Sequence, residues 1–370
     1  MPAKTVLEIG QEKKDIRACN ERIMVNTVSV KAIVEQRKYD FLRTDEHIKD
    51  RLMFLTLGGS HAYGTNVEGS DIDIRGCALL RESDLLGSTN FEQLVDHDTD
   101  TTVYSSRKLI SLLSAGSPNC IELLGNAPGM YAYLSDAGSC LLGEGYRFLS
   151  RQLVKSFGGY ANQQLIRMEN TIARERMDED GQQDHLLKAC QNAVDHFNEK
   201  YHDFPKNGIH LHIGVSPDDP AKKEILMDTD LSNFPIRDYS GVWHDLNELI
   251  KNFKKISSRP AIKEDAQINK YAMHVIRLYA TLLDILEKGR VQTYRLEEHD
   301  TLMNIRNGAF MNADGLMRPE FYEMLEDYKQ RVGYAKENTC LPNKPDYTAI
   351  NELSIHIHRK AVEKKWKKES

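Results

Sequence analysis

The 370-residue sequence has no run approaching the roughly 18 consecutive apolar residues that mark a membrane-spanning helix, so no transmembrane segment is expected. Met1 to Asn26 carries charges throughout and lacks the continuous apolar stretch of a secretory signal. A cytoplasmic protein is the expectation. The six cysteines, Cys19, Cys77, Cys120, Cys140, Cys190 and Cys340, include no C-x-x-C pair. That spacing argues against a zinc site or a disulfide framework and for reduced thiols used in packing. There is no basic excess either. Lys and Arg number 49 against 55 Asp and Glu, a formal charge of −6. This excludes a globally basic nucleic-acid binder while leaving room for a local basic groove. Internal repeats and low-complexity tracts are absent. So are G-x-x-x-x-G-K-S/T, a G-x-G-x-x-G following a strand, and H-E-x-x-H, which excludes the P-loop, dinucleotide-binding and zincin classes.

What is present suits a globular chain: 40% of residues are hydrophobic and 28% charged. The length favours two domains. Residues 1–26 are polar and irregular and read as an appendage. Val28 to Arg51 has broken helical spacing. Met53-Phe54-Leu55-Thr56-Leu57 is a buried strand that stops at Gly58-Gly59. Ile72 and Ile74 alternate with Asp71 and Asp73, the pattern of a strand with one buried face. Thr101 to Tyr104 is β-prone and leads into a helix, Arg107 to Ala115. Pro118, with Ser117 as N-cap, opens another. Beyond this the pattern is helical: Tyr146 to Met177, His185 to Tyr201, Val242 to Ile256, and Asp265 to Lys288 with a wide apolar stripe. Ile209 to Val215 alternates and reads as a strand. The boundary between the two halves falls near residues 130–145.

The stretch from Gly58 to Gly76 carries the chemistry. A glycine pair after a buried strand lets backbone approach a ligand closely and offers N–H groups to an anion. Ser60 adds a hydroxyl there. Asp71 and Asp73, at i and i+2, point the same way about 7 Å apart. Like charges on one face are costly unless a positive group sits between them. A hard divalent ion such as Mg²⁺ or Mn²⁺ is the usual solution, and it keeps positions open for substrate phosphates. Three more aspartates, Asp96, Asp98 and Asp100, stand just before the Thr101 to Tyr104 strand.

This string resembles the nucleotidyltransferases of the DNA polymerase β superfamily: a strand, Gly-Gly/Ser-Ser, then an Asp-x-Asp strand about ten residues on. The resemblance extends to the Asp100-to-Ile110, Gly116-to-Leu124, Phe157-to-Leu165, Lys270-to-Leu278 and Leu302-to-Gly308 segments. It lies closest to a cytosolic and phage subgroup that includes RNA-ligase-associated, RNA-repair proteins. The resemblance implies an α+β fold, with a polymerase-β-like catalytic domain and its mixed sheet over 27–140 and a mainly helical domain over 141–370. It implies that Asp71, Asp73 and Asp100 are catalytic and hold two Mg²⁺ ions, with Mn²⁺ as a substitute and Asp98 next in line after Asp100. It implies that Ser60 contacts the nucleotide triphosphate; Gly58, Gly59, Ser70 and Lys108 are expected to bind the NTP beside it, with ATP the expected nucleotide.

Lys270, His274 and Arg277 fall at i, i+4 and i+7, a basic stripe on an otherwise apolar helix. They are expected to face the cleft and bind the triphosphate or the base of the nucleotide; the alternative is a wet helix face of solvated residues. His210 and His212 share a strand face, as do His356 and His358 if that segment is a strand, and both pairs read as structural rather than as metal ligands. The basic tail, Arg359 to Lys368, reads equally as a helix end or a nucleic-acid contact. The expected activity is metal-dependent transfer of an NMP from an NTP to an acceptor hydroxyl with release of pyrophosphate. An RNA or tRNA 3′ end is the expected acceptor. The alternatives are transfer to a protein side chain or small molecule, and a non-catalytic, antitoxin-like nucleotide-binding protein.

Overall fold

The computed structural model describes residues 30–200, 208–220, 222–229, 235–255 and 264–366. The N-terminal appendage over 1–26 and the last two residues of the basic tail lie outside them. The fold is α+β. Five strands, β1 (Leu52–Leu57), β2 (Ile74–Ala78), β3 (Gln93–Asp96), β4 (Thr101–Ser105) and β5 (Tyr131–Leu134), form a sheet in the order β3-β4-β2-β1-β5. β1 runs antiparallel to β2 and β5, β3 antiparallel to β4, and β2 parallel to β4, so the sheet is mixed as expected.

Both faces of this sheet are apolar, and each needs cover. Leu55, Leu57, Ile74, Ala78 and Val103 pack with Val30, Ile33, Tyr39 and Tyr63 on one side. Met53, Phe54 and Cys77 pack on the other with Leu109, Ile121, Leu278, Leu282, Leu353 and Ile357. Burying one such side chain is worth roughly 1.5–3 kcal/mol. The helices Glu264–Lys288 and Tyr347–Trp366 therefore help to complete the core of the sheet, although they follow it by more than a hundred residues.

The compact units reflect this and differ from a single boundary near residue 140. One comprises 1–162, 273–306 and 322–370; the other comprises 163–272 and 307–321. The second unit holds a hairpin, β6 (Ile209–Val215) paired with β7 (Lys223–Thr229). Ile209, Leu211 and Met227 of this hairpin pack with Cys190 and Val194 of the helix Glu179–Lys200, and with Val242 and Leu246 of the helix Ile236–Lys255.

Local differences have identifiable causes. The expected helix over Tyr146 to Met177 is a short turn, Gly145–Phe148, followed by the helix Leu153–Arg176. Between them the Arg151 N–H donates to the Pro342 carbonyl at 2.8 Å, and its guanidinium reaches the Thr339 carbonyl at 2.8 Å, so the backbone leaves the helical ladder. The strand β2 begins at Ile74, with Asp71 and Asp73 in its lead-in. The segment holding His356 and His358 is helical, which puts the two rings on different faces: His358 Nε2 lies 2.7 Å from Ser106 Oγ, and His356 is exposed. Cys77, Cys120 and Cys190 are buried free thiols, whereas Cys340 is exposed, outside the packing role expected for it. Among the described residues, no helix is long and apolar enough to cross a membrane.

Candidate active site

The parallel register of β2 and β4 pairs Ile74 with Thr101. The residues just before them, Asp73 and Asp100, thus come side by side at the mouths of two neighbouring strands. The Ile74 N–H donates to the Asp100 carbonyl at 3.2 Å, and the Gly58 N–H donates to the Asp73 carbonyl at 2.9 Å. The end of β1, the lead-in to β2 and the start of β4 are therefore stitched together at one sheet edge.

The glycine pair is required by this closeness. A Cβ on Gly59 would lie 1.9 Å from Asp73 Oδ2, and the residue's φ of +55° is left-handed. A Cβ on Gly58 would lie 2.9 Å from Arg75 Cγ. With no side chains there, the short helix Gly59–Tyr63 starts directly against the Asp73 carboxylate, with Ser60 its second residue. Asp100 also has a left-handed φ, +46°. Asp tolerates that region better than most residues.

Arg75 occupies the space between the carboxylates. Its Nη2 donates to Asp73 Oδ1 at 2.8 Å and to Asp100 Oδ1 at 3.2 Å, and its Nη1 donates to the Asp100 carbonyl at 2.6 Å. The positive charge that two neighbouring carboxylates demand is a guanidinium here. Arg75 is not among the residues expected at the site, although its position two residues after Asp73 places it on the same side of the chain. Asp71 is exposed. Asp96 is taken up by its own turn, accepting from the Thr99 N–H at 2.9 Å and the Thr99 hydroxyl at 2.6 Å, while Asp98 is exposed in that turn. Of the three candidates for the third carboxylate, Asp100 is the one joined to Asp73.

The oxygen donors of Asp71, Asp73 and Asp100 suit a hard divalent ion in chemistry. In arrangement, no group of three His, Cys, Asp or Glu among the described residues is gathered to hold one. The Arg75 bridge accounts for part of that, because it already satisfies Asp73 and Asp100.

The remaining expected residues are placed as follows. Ser70 Oγ accepts from the Val67 N–H at 2.9 Å. The Lys108 ammonium pairs with Glu92 at 3.0 Å, and its N–H is capped by Ser105 Oγ at 3.2 Å. Lys270 belongs to the second unit, whereas His274 and Arg277 belong to the unit of the sheet. Arg277 does not lie on an open face: its side chain is 2% exposed and paired with Glu122, which is 3% exposed. The Arg277 guanidinium also stacks 3.6 Å from the Tyr63 ring centroid, and the Tyr63 hydroxyl donates to Glu122 Oε2 at 2.8 Å. Burial, opposed by Arg277 and aided by Glu122, pushes the Tyr63 phenol well above its ordinary pKa, so it stays a donor. His274 meets the same ring edge-on, with centroids 6.2 Å apart. The stripe read as a cleft lining is, at Arg277, a buried clamp on the last residue of the helix that carries Ser60. A lone charge on the apolar stripe of each helix, Glu122 and Arg277, is the signal that could have revealed it.

A mixed sheet with a glycine turn after its first strand and aspartates at the mouths of β2 and β4 is the arrangement that the resemblance read in the sequence implies. Residues 30–184 match the model of the RNA repair pathway DNA polymerase beta family, and over that span the resemblance read in the sequence is borne out. The matched span contains Ser60, Asp71, Asp73, Asp100 and Lys108, and ends before Lys270, His274 and Arg277. Neither a curated protein nor a solved structure matches the chain significantly.

Proposed function

We propose that this protein transfers a nucleoside monophosphate from an NTP, with ATP the expected donor, to an acceptor hydroxyl on an RNA 3′ end. The observation that carries this reading is the apposition of Asp73 and Asp100 against Gly59 at one sheet edge. The Gly58-Gly59 turn and the Ser60 hydroxyl bind the triphosphate and set its α-phosphate in line with the acceptor. Asp100 orients the acceptor hydroxyl and favours loss of its proton. The acceptor oxygen attacks the α-phosphorus, the bond to the bridging oxygen breaks, and pyrophosphate leaves. Mg²⁺ or Mn²⁺ held by Asp71, Asp73 and Asp100 would supply charge stabilisation for the attacking and leaving oxygens. Before that, Arg75 must release Asp73 and Asp100, which frees its guanidinium for a phosphate oxygen.

The RNA acceptor draws its support from the family that residues 30–184 match. The test is incubation of the full chain with each α-labelled NTP and Mg²⁺, in the presence of total RNA, of a protein extract or of small-molecule hydroxyl acceptors. Label in RNA supports the reading. Label only in protein or in a small molecule moves the acceptor assignment, and no label with any NTP removes the catalytic reading.

A further inference from the structure

Arg306 closes the helix His299–Arg306, inside the Ile305-Arg306-Asn307-Gly308 segment that the reaction above leaves unused. Its guanidinium lies against the loop that leads into Asp71, with Nη2 3.5 Å from Ser70 Oγ. Nε and Nη1 are buried and have no hydrogen-bond partner among the described residues. Together these two nitrogens carry three N–H donors. The Ser70 hydroxyl is neutral and already accepts from the Val67 N–H. Burial lowers the pKa of this guanidinium, and no neighbouring carboxylate opposes the shift.

The contrast within the same unit is informative. The buried guanidinium of Arg277 holds Glu122, and that of Arg295 holds Asp284 and Glu298. Arg306 alone of the three lacks a carboxylate. The carboxyl end of a helix favours a cation, but it leaves these N–H groups unmade. Buried charged donors are ordinarily paired, and an exception in a native fold calls for an explanation. A planar fork of unpaired donors is suited to an oxyanion taken in bidentate fashion.

Resting on the nucleotidyl-transfer reading, we propose that Arg306 binds the polyphosphate tail of the incoming nucleoside triphosphate from the Ser70–Asp71 side of the site. A polyphosphate presents several oxyanions in a row. One pairs with the fork while others reach the Gly59-Ser60 turn, which Asp73 ties to the same loop.

The experiment is calorimetric titration of the full chain with inorganic tripolyphosphate, with ATP and with a short RNA oligonucleotide, for the wild type, Arg306→Met and Arg306→Lys. Thermal midpoints are measured without ligand. Arg306→Met should weaken tripolyphosphate and ATP at least tenfold, with Arg306→Lys between it and the wild type. RNA affinity should stay unchanged. The ligand-free midpoint should be unchanged or higher, because the variant removes a half-buried charge that no carboxylate balances. Undiminished tripolyphosphate binding by Arg306→Met overturns the inference, as does a loss confined to RNA or a ligand-free midpoint several degrees lower. If the wild type binds neither tripolyphosphate nor ATP, the nucleotidyl-transfer reading falls as well; binding that Arg306→Met retains removes only the role of Arg306.

Discussion

Glu122→Gln leaves the Arg277 guanidinium buried opposite a neutral amide. Both side chains are 3% exposed or less, so water has little access with which to compensate. Removing one partner of such a pair costs about 3–5 kcal/mol, and an amide that still accepts one hydrogen bond places this variant near 3 kcal/mol. For a folding unit of roughly 250 residues, each kcal/mol lowers the midpoint by about 2–4 °C, so the expected drop is about 6–12 °C. Replacing both partners, Glu122→Leu with Arg277→Met, removes the charges together and should cost far less than the two single losses added, leaving about 1–3 kcal/mol for the buried Tyr63 hydroxyl, which loses its acceptor. Scanning calorimetry on the wild type, Glu122→Leu, Arg277→Met and the double variant reads the coupling directly, with Glu122→Gln measured beside them. Transfer activity should remain low in the double variant, because Tyr63 has lost both the acceptor for its hydroxyl and the cation on its ring, and Tyr63 ends the helix that presents Ser60. A Glu122→Gln midpoint within 2 °C of the wild type, or a double variant as unstable as the two single losses added, would refute this reasoning.

Three further outcomes follow from the same geometry. Gly59→Ala meets Asp73 Oδ2 at 1.9 Å and must hold a left-handed φ, so transfer should be lost while the midpoint falls by only a few degrees; an active variant would show that the turn need not touch Asp73. Arg75→Gln removes the internal cation that competes for Asp73 and Asp100. Mn²⁺ binding to the nucleotide-free chain, followed by paramagnetic resonance, should tighten about tenfold, and weaker binding would contradict the competition. His358 has its pKa lowered, first by burial and then by Arg107. Its neutral form therefore stabilises the fold above the unfolded value near 6.5, and that contribution is lost as pH falls through the lowered folded value. Urea midpoints should decline below about pH 6.5 in the wild type and less steeply in His358→Gln, which keeps a partner for Ser106; parallel slopes would refute it.

How much of this was legible in the sequence depended on whether the signal was local. The strand at Met53 to Leu57, the glycine turn and the helix after Tyr104 could be read because apolar period and turn chemistry act over a few residues. The apposition of Asp73 and Asp100 was not in the residues themselves, since it arises from a parallel register across 27 positions. Only the family resemblance singles out Asp100 among its neighbours in the sequence. The unit boundary misled because the apolar stripe of Ile276 to Leu283 announces burial without saying against what, and its partner is a sheet face some two hundred residues earlier. Arg277 misled in the same way. A charge on an apolar stripe marks a cleft or a buried pair with equal force until Glu122 is brought to it. Arg75 carries no such local signal, because a pair of neighbouring carboxylates calls for a metal ion and for a cation of the chain itself with equal force.

The proposed reaction is metal-dependent nucleotidyl transfer at the edge formed by β1, β2 and β4. Its most direct test is transfer of α-labelled AMP into RNA by the wild type and by Asp71→Ala/Asp73→Ala, with Mg²⁺ and with chelator. The account predicts label in RNA from the wild type with Mg²⁺, and none from the double variant or after chelation. Undiminished label from the double variant would contradict it.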